Sequence, residues 1–263
     1  MPKKRLDVLL VERGLAESRS QAQRLVMAGQ VRVDGQVALK PASSVPSNAK
    51  LELALGPRYV SRGGEKLQAA LDAFEIDPGD RLCADVGAST GGFTDCLLQR
   101  GARRVYAIDV GKGILHWKLR QDRRVVVMEE TNARYLSELP EKVSLVTVDA
   151  SFISLKVLLP ALAGWLSPAG DLIALIKPQF EAGRRVTASG KGVIRQPDIH
   201  RQVLLEVLSF AAGEGLGLRG LLRSPLLGPK GNVEFLAWFS YPDQEGQDFS
   251  QLVEQVVPLD NAP

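Results

Sequence analysis

Residues 82–93, Leu82-Cys83-Ala84-Asp85-Val86-Gly87-Ala88-Ser89-Thr90-Gly91-Gly92-Phe93, constrain the fold more than any other stretch of the chain. An apolar run ending near an acid, then a glycine-rich turn, then a helical pattern, reads as a strand feeding a tight loop and a helix. Gly87, Gly91 and Gly92 let backbone approach a ligand where a Cβ would clash, and the helix from Phe93 aims its positive end at the loop. The glycines fall as G-x-x-x-G-G with Ser89 between them, so the dinucleotide fingerprint G-x-G-x-x-G is not met. Asp85 would repel a diphosphate and attract a cation. S-adenosylmethionine, with a sulfonium and an amino group but no phosphate, fits this loop better than NAD. A buried strand with Asp85 as a simple cap is the competing reading.

The rest of the C-terminal region supports a nucleotide-type fold. Strand patterns at 81–86, 104–109, 125–128, 143–149, 171–176, 216–222 and 233–241 alternate with helical ones, and a helix carried by Leu67, Leu71 and Phe74 precedes them. Such alternation predicts an α/β domain with a seven-stranded, mainly parallel sheet covered on both faces, its ligands gathered at the carboxyl ends of the strands. Polar residues fall at those ends. Asp109 closes the second strand, where an acid accepts hydrogen bonds from a ribose diol. Asp149 closes the fourth, Lys177 follows the fifth, Glu234 opens the seventh, and Lys66 comes from the helix ahead of the sheet. Asp149 as a cap, Lys177 as a surface charge and Glu234 as a strand-edge acid are the plain alternatives. Charges abutting apolar runs, as in Thr147-Val148-Asp149 and Leu175-Ile176-Lys177, favour a functional role.

These residues narrow the methyl acceptor. Alkylating carbon five of a pyrimidine needs a thiolate near the fourth strand, whereas Cys83 and Cys96 flank the glycine loop. Methylating a base amino group typically uses an Asn/Asp-Pro-Pro-aromatic loop where this chain has Asp149-Ala150-Ser151-Phe152. A hydroxyl acceptor remains. A ribose 2′-hydroxyl must lose its proton as the bond forms, and a neutral lysine can take it, which makes Lys177 the candidate base. Lys66 would stabilise the developing alkoxide while Asp149 and Glu234 orient the amines.

The N-terminal segment has a different character. Leu6, Leu9 and Leu10 form a helix face; Ser18 precedes Gln21 at capping-box spacing, and Gly29 ends a second helix. Val31-Arg32-Val33, Asp34-Gly35 and Gln36-Val37 predict a hairpin with a type I′ turn, and 50–55 a further strand. Residues 1–58 carry ten Lys/Arg against five Asp/Glu, although the whole chain is only +3. Basic charge concentrated there predicts a polyanionic partner, with a solvated surface as the alternative. Gly56-Pro57-Arg58-Tyr59-Val60 reads as a connector.

In this order of elements, with Ser18-Arg19-Ser20-Gln21-Ala22 and Gly29-Gln30-Val31-Arg32-Val33-Asp34-Gly35, residues 3–55 resemble an S4 domain, a module that binds structured RNA. Lys66, Asp149, Lys177 and Glu234 are similar, in order and context, to the Lys-Asp-Lys-Glu tetrad of the FtsJ-like ribose 2′-O-methyltransferases. Four further blocks, Ser61-Arg62-Gly63-Gly64-Glu65-Lys66-Leu67, Asp149-Ala150-Ser151-Phe152-Ile153-Ser154-Leu155, Lys177-Pro178-Gln179-Phe180-Glu181 and 224–235, make the chain up to Tyr241 resemble the TlyA family. The resemblance implies an S4-like domain at 1–56, a linker at 57–61, a class I methyltransferase domain at 62–245, and a C-terminal helix or tail at 246–263. It implies 2′-O-methylation of cytidine in ribosomal RNA, with S-adenosylmethionine as donor and ribosomal subunits as partners. Asp85, Gly87, Ala88, Ser89, Gly91, Gly92, Phe93, Asp109, Asn132 and Asp149 would hold the donor. Lys4, Arg5, Arg19, Arg24 and Arg32, with Arg184 and Arg185 of a basic insertion, would meet RNA. That insertion reads equally as a loop that orders on RNA or as plain surface. Lys112 stands where the family commonly has an aromatic, and Glu130 where it often has a basic residue.

Composition excludes other classes. No run approaches the roughly 18 apolar residues of a membrane helix, and the apolar segment after Met1-Pro2-Lys3-Lys4-Arg5 is broken by Asp7 and Glu12, unlike a leader. Two cysteines fit packing roles in a reducing cytoplasm. His116 and His200 lack a partner pattern, so no metal site is expected. Trp117, Trp165 and Trp238 read as core residues. A binding-only ribosome assembly factor and, remotely, the cytolysin suggested by the family's old hemolysin label are the competing functions.

Overall fold

The structure, a computed structural model, describes residues 2–54, 56–183, 192–242 and 249–257. The chain divides into two compact units, residues 1–58 and 59–263.

In the first unit, strand β1 (Lys3–Arg5) leads into helices α1 (Leu6–Glu12) and α2 (Arg19–Met27), followed by β2 (Val31–Val33), β3 (Gln36–Val37), β4 (Ser44–Pro46) and β5 (Leu51–Leu53). The Ser18 hydroxyl accepts the Gln21 N–H at 3.2 Å, so the predicted cap starts α2. Asp34 and Gly35 take φ of 50° and 82°, the two positive values a type I′ turn requires, and β2 pairs with β3 on one side and β5 on the other. Leu6, Leu9, Leu10, Ala22, Val26 and Val31 form the core. The antiparallel pair β1–β4 was not expected, because β1 is exposed throughout and β4 has a single buried residue, Val45, so neither three-residue strand carries an apolar alternation.

The second unit opens with α3 (Gly63–Ala73). It then runs β6 (Leu82–Val86), α4 (Gly92–Gln99), β7 (Arg104–Ile108), α5 (Trp117–Arg120), β8 (Val125–Met128), β9 (Val143–Val148), α6 (Leu155–Trp165), β10 (Leu166–Ile176) and α7 (Pro178–Glu181). Helix α8 (Pro197–Gly213), β11 (Gly217–Arg223), β12 (Phe235–Tyr241) and α9 (Ser250–Val256) complete it. The seven strands form one sheet in the order β11-β12-β10-β9-β6-β7-β8; only the pairs involving β12 are antiparallel. Strand parity sorts the core into two layers. Ala84, Val86, Val146, Val148, Leu172 and Ala174 meet α6 and α8, whereas Cys83, Val105, Leu145 and Ile173 meet α3 and α4. Helix α9 joins the first layer through Phe249, Val253 and Val257. Cys83 and Cys96 are both buried and unbridged. Of the tryptophans, Trp165 is buried and Trp238 half-buried, but Trp117 is 65% exposed against the core role expected of it. It begins a one-turn helix too short to turn both of its faces inward. No helix of the described residues is long and apolar enough to cross a membrane.

Candidate active site

Adjacent strands each deliver a polar residue to one edge of the sheet. Ile176 of β10 lies opposite Phe235 of β12, so Lys177 and Glu234 leave the sheet side by side. On the other flank of β10, Ala174 pairs with Val148 of β9, and Asp149 follows Val148. Strand β6 comes next: the Asp149 N–H donates to the Val86 carbonyl at 2.9 Å. A Cβ on Gly87 would lie 2.7 Å from the Asp149 carbonyl oxygen, so the first glycine of the loop is required by this close approach. Strands are about 4.8 Å apart. Glu234, Lys177, Asp149 and Gly87 therefore form a continuous row.

The two lysines and two carboxyls occur as ion pairs. Lys177 Nζ lies 2.5 Å from Asp149 Oδ1, and Lys66 Nζ lies 2.5 Å from Glu234 Oε2. Glu234 is fully buried at its side chain, Lys66 and Lys177 are nearly so, and Asp149 is partly open. Burying such charges is tolerable only because each has a partner. The sequence-predicted tetrad is thus assembled pairwise, with Lys177 also donating to the Ser151 hydroxyl at 2.9 Å. Glu234 Oε1 finds no hydrogen-bond partner among the described residues, and it packs against Gly228.

The segments bearing Asp149 and Lys177 are fastened to each other. Glu181 accepts from the Ser154 hydroxyl at 2.5 Å and from the Leu155 N–H at 2.7 Å, which closes the start of α6. Burial pushes the Glu181 carboxyl up from its ordinary range. Phe152 takes a left-handed φ of 64° and is 92% exposed, its ring tilted at 5.1 Å from Phe180, above which the Lys177 ammonium lies at 5.9 Å. Sequence reasoning gave Ser151, Phe152 and Glu181 no role. Their occurrence in the same blocks as Asp149 and Lys177 was the available signal.

The donor side is built on β6, β7 and β8. Gly87 and Ala88 N–H groups donate to the Ile108 carbonyl, and Asp109 binds the Ser89 N–H with one oxygen and the Gly111 N–H with the other, both at 2.8 Å. The Thr131 N–H donates to the Asp109 carbonyl, and the exposed Asn132 side chain accepts the Arg134 N–H at 3.0 Å. Asp109, Ser89 and Asn132 are thereby brought close. Gly91 and Gly92 serve packing instead: a Cβ would lie 2.1 Å from Leu119 Cδ1 and 2.2 Å from Ser61 Oγ, respectively. Ala88 and Phe93 bury their side chains, leaving only backbone for a ligand.

Asp85 differs from the expected cation contact. It shares strand parity with Cys83, so its carboxyl faces α4 and is fully buried, accepting from Thr94 Oγ1 at 2.6 Å and Thr147 Oγ1 at 3.2 Å. Burial, with a smaller contribution from the Asp149 charge, pushes it up to about 7. Glu129, just past β8, was overlooked because nothing local marks it. It accepts the N–H groups of Gly113, Ile114 and Leu115 and pairs with Arg120, whose guanidinium together with those amides holds it at about 2. The loop after Asp109 is shaped around this carboxylate.

In the first unit, Lys4, Arg5, Arg19, Arg24 and Arg32 are all exposed. Arg5 and Arg19 converge on Asp7, whereas Lys4 pairs with Glu12, Arg24 with the Ser20 hydroxyl and Arg32 with the Gly35 carbonyl. Arg184 and Arg185 lie outside the described residues.

A seven-stranded α/β sheet with a glycine loop after β6, beside the central strand β9, and two amine–carboxylate pairs at the ends of neighbouring strands defines a methyltransferase of the FtsJ-like class. Residues 59–241 match the FtsJ-like methyltransferase family and residues 4–51 the S4 domain. The chain is 49% identical over 240 residues to the 16S/23S rRNA (cytidine-2′-O)-methyltransferase TlyA of Mycobacterium tuberculosis, covering 89% of this chain and 88% of the relative. It is 40% identical over 241 residues to Hemolysin A of Brachyspira hyodysenteriae, covering 89% and 99%. A solved structure from Streptococcus thermophilus that carries a hemolysin label superposes with a TM-score of 0.74 at 46% identity, over 98% of this chain and 95% of that one. The chain belongs to the TlyA family, an S4 domain joined to an FtsJ-like methyltransferase domain.

Proposed function

We propose that the protein transfers a methyl group from S-adenosylmethionine to the ribose 2′-hydroxyl of cytidine in ribosomal RNA, in the cytoplasm, with the S4 unit gripping RNA. The observation that carries this reading is the pair of amine–carboxylate contacts, Lys177–Asp149 and Lys66–Glu234, on neighbouring strands beside the glycine loop. The relative named as a 16S/23S rRNA (cytidine-2′-O)-methyltransferase supports the choice of nucleoside.

The residues present suit the donor. Backbone at Gly87 to Ser89 offers close approach, and the Asp109 carboxylate, already aligned by Ser89 and Gly111, has lone pairs left for a ribose diol. The donor supplies an electrophilic methyl on sulfonium. Transfer of that methyl to the hydroxyl oxygen, with the thioether as leaving group, would release the hydroxyl proton, which the chain's own residues must accept. Lys177, after releasing its own proton to solvent, takes the hydroxyl proton and returns to the ammonium form that pairs with Asp149 at 2.5 Å. Lys66, anchored by Glu234, contributes positive charge toward the developing alkoxide. The exposed Phe152 ring beside Lys177 suits a stacked base of a single-stranded acceptor.

Tritium transfer from labelled donor to ribosomal subunits tests the reading. Counts retained in alkali-resistant dinucleotides, abolished by Lys177→Ala, are expected. No counts in RNA from either subunit or from naked ribosomal RNA would overturn it, and equal counts with Lys177→Ala would remove Lys177 from its role.

A further inference from the structure

An acid buried among the basic residues of a unit read as RNA-binding calls for a reason. Asp7 is fully buried and its two oxygens receive four donations. Arg5 Nε reaches Oδ1 at 3.0 Å, while Arg5 Nη2 at 2.9 Å, Gln23 Nε2 at 3.0 Å and Arg19 Nε at 3.2 Å reach Oδ2. The Arg5 contact holds the Asp7 carboxyl well below the usual carboxylate range, so it stays charged at neutral pH. One residue of α1 thus gathers a strand residue, Arg5, and two helix residues, Arg19 and Gln23, that lie far apart in sequence.

The arginines are held without being consumed. Each guanidinium has five N–H donors; Arg5 gives two to Asp7 and Arg19 gives one. Their side chains remain 47% and 57% exposed. Such groups are already oriented, so they lose less rotamer freedom on meeting a phosphate than free arginines do. Lys4, Arg24 and Arg32 have no comparable mount.

We infer that Asp7 is a positioning residue of the RNA-binding face, its buried carboxylate fixing Arg5 and Arg19 so that their outer N–H groups engage phosphates of the RNA backbone. The inference rests on the RNA reading above and deepens it. It makes an unusual prediction of sign. Asp7→Asn makes the protein one charge more positive, and charge alone would tighten RNA binding. Loss of the mount does the opposite.

The test measures affinity of the full-length protein for a 23S ribosomal RNA transcript between about 50 and 200 mM salt. Asp7→Asn is expected to bind about fivefold more weakly, with a log–log salt slope shallower by about one contact. In an Arg5→Ala/Arg19→Ala background the same change is expected to cause no further loss, and at most the slight tightening that charge alone gives, because Asp7 acts through those side chains. Arg5→Lys, an exposed and charge-conserving change, is expected to weaken binding as well, and it carries the test if Asp7→Asn fails to fold. Binding by Asp7→Asn as tight as wild type or tighter, an equal loss in the double-alanine background, or unchanged affinity in Arg5→Lys would each overturn the inference. Wild-type protein that fails to bind the transcript or ribosomal subunits would instead sink the RNA reading itself, and the inference with it.

Discussion

Gly228→Ala tests whether the position of Glu234 matters to catalysis without touching any charged group. Gly228 has φ −71° and ψ −176°, a conformation alanine adopts freely, so the backbone raises no objection. Space does. A Cβ there would lie 2.0 Å from Glu234 Oε1, 2.6 Å from Cδ and 3.3 Å from Cγ, where ordinary contact begins near 3.4 Å. The loop cannot easily retreat. The Gly228 N–H donates to the Asn232 carbonyl at 2.8 Å, Ser224 N–H to the Glu234 carbonyl at 2.9 Å, and Arg62 to the Leu227 carbonyl at 3.2 Å. The carboxylate must therefore move by about 1 Å or more, stretching its 2.5 Å contact with Lys66. Misplacement on that scale costs on the order of 100-fold in rate, about 2.7 kcal/mol. Single-turnover methyl transfer at saturating donor is expected to slow by about that factor, while the donor Kd, set on the far side of the row, stays close to wild type. Full activity in a folded Gly228→Ala protein would refute the claim that Glu234 places Lys66.

Other expectations follow from the same geometry. A carboxyl whose folded pKa lies above its unfolded value binds more protons when folded, so Asp85 reduces stability as pH rises from 3.8 to about 7. Asp85→Asn is expected to flatten that slope, by up to roughly 4 kcal/mol between its two ends; urea unfolding at both ends measures it, and identical slopes in the two proteins would contradict the burial of a protonated carboxyl. Glu129→Gln is expected to raise the donor Kd while leaving the rate at saturating donor little changed, because Glu129 shapes the loop after Asp109 and not the acceptor side. Calorimetric titration with S-adenosylhomocysteine checks this, and unaltered affinity would show that the loop keeps its form without the carboxylate.

What the sequence revealed follows from which forces are local. Strands covered by helices read as apolar runs, so the parallel five and the antiparallel β11 and β12 were all visible, and β10 differed only in starting at Leu166 with an irregularity before Asp171. Lys177, Asp149 and Glu234 were legible because a charge beside an apolar run is conspicuous. Their pairing was not, since it depends on strand order across the sheet. Asp85 was misjudged although its parity with Cys83 and Leu145's partner strand placed it toward α4, where Thr94 waits. Asp7, Glu129 and Glu181 were given no role because each gathers donors that folding brings from other elements, although Glu181 shares a block with Lys177 and Arg5 lies two residues from Asp7.

The most direct measurement locates the methyl group itself. After reaction of ribosomal subunits with wild-type protein and labelled donor, complete alkaline hydrolysis should leave the label in dinucleotides resistant at a cytidine 2′-oxygen, and Lys177→Ala should leave none. Label recovered on base atoms, or an undiminished yield with Lys177→Ala, would contradict the assignment of the paired lysines to ribose alkylation.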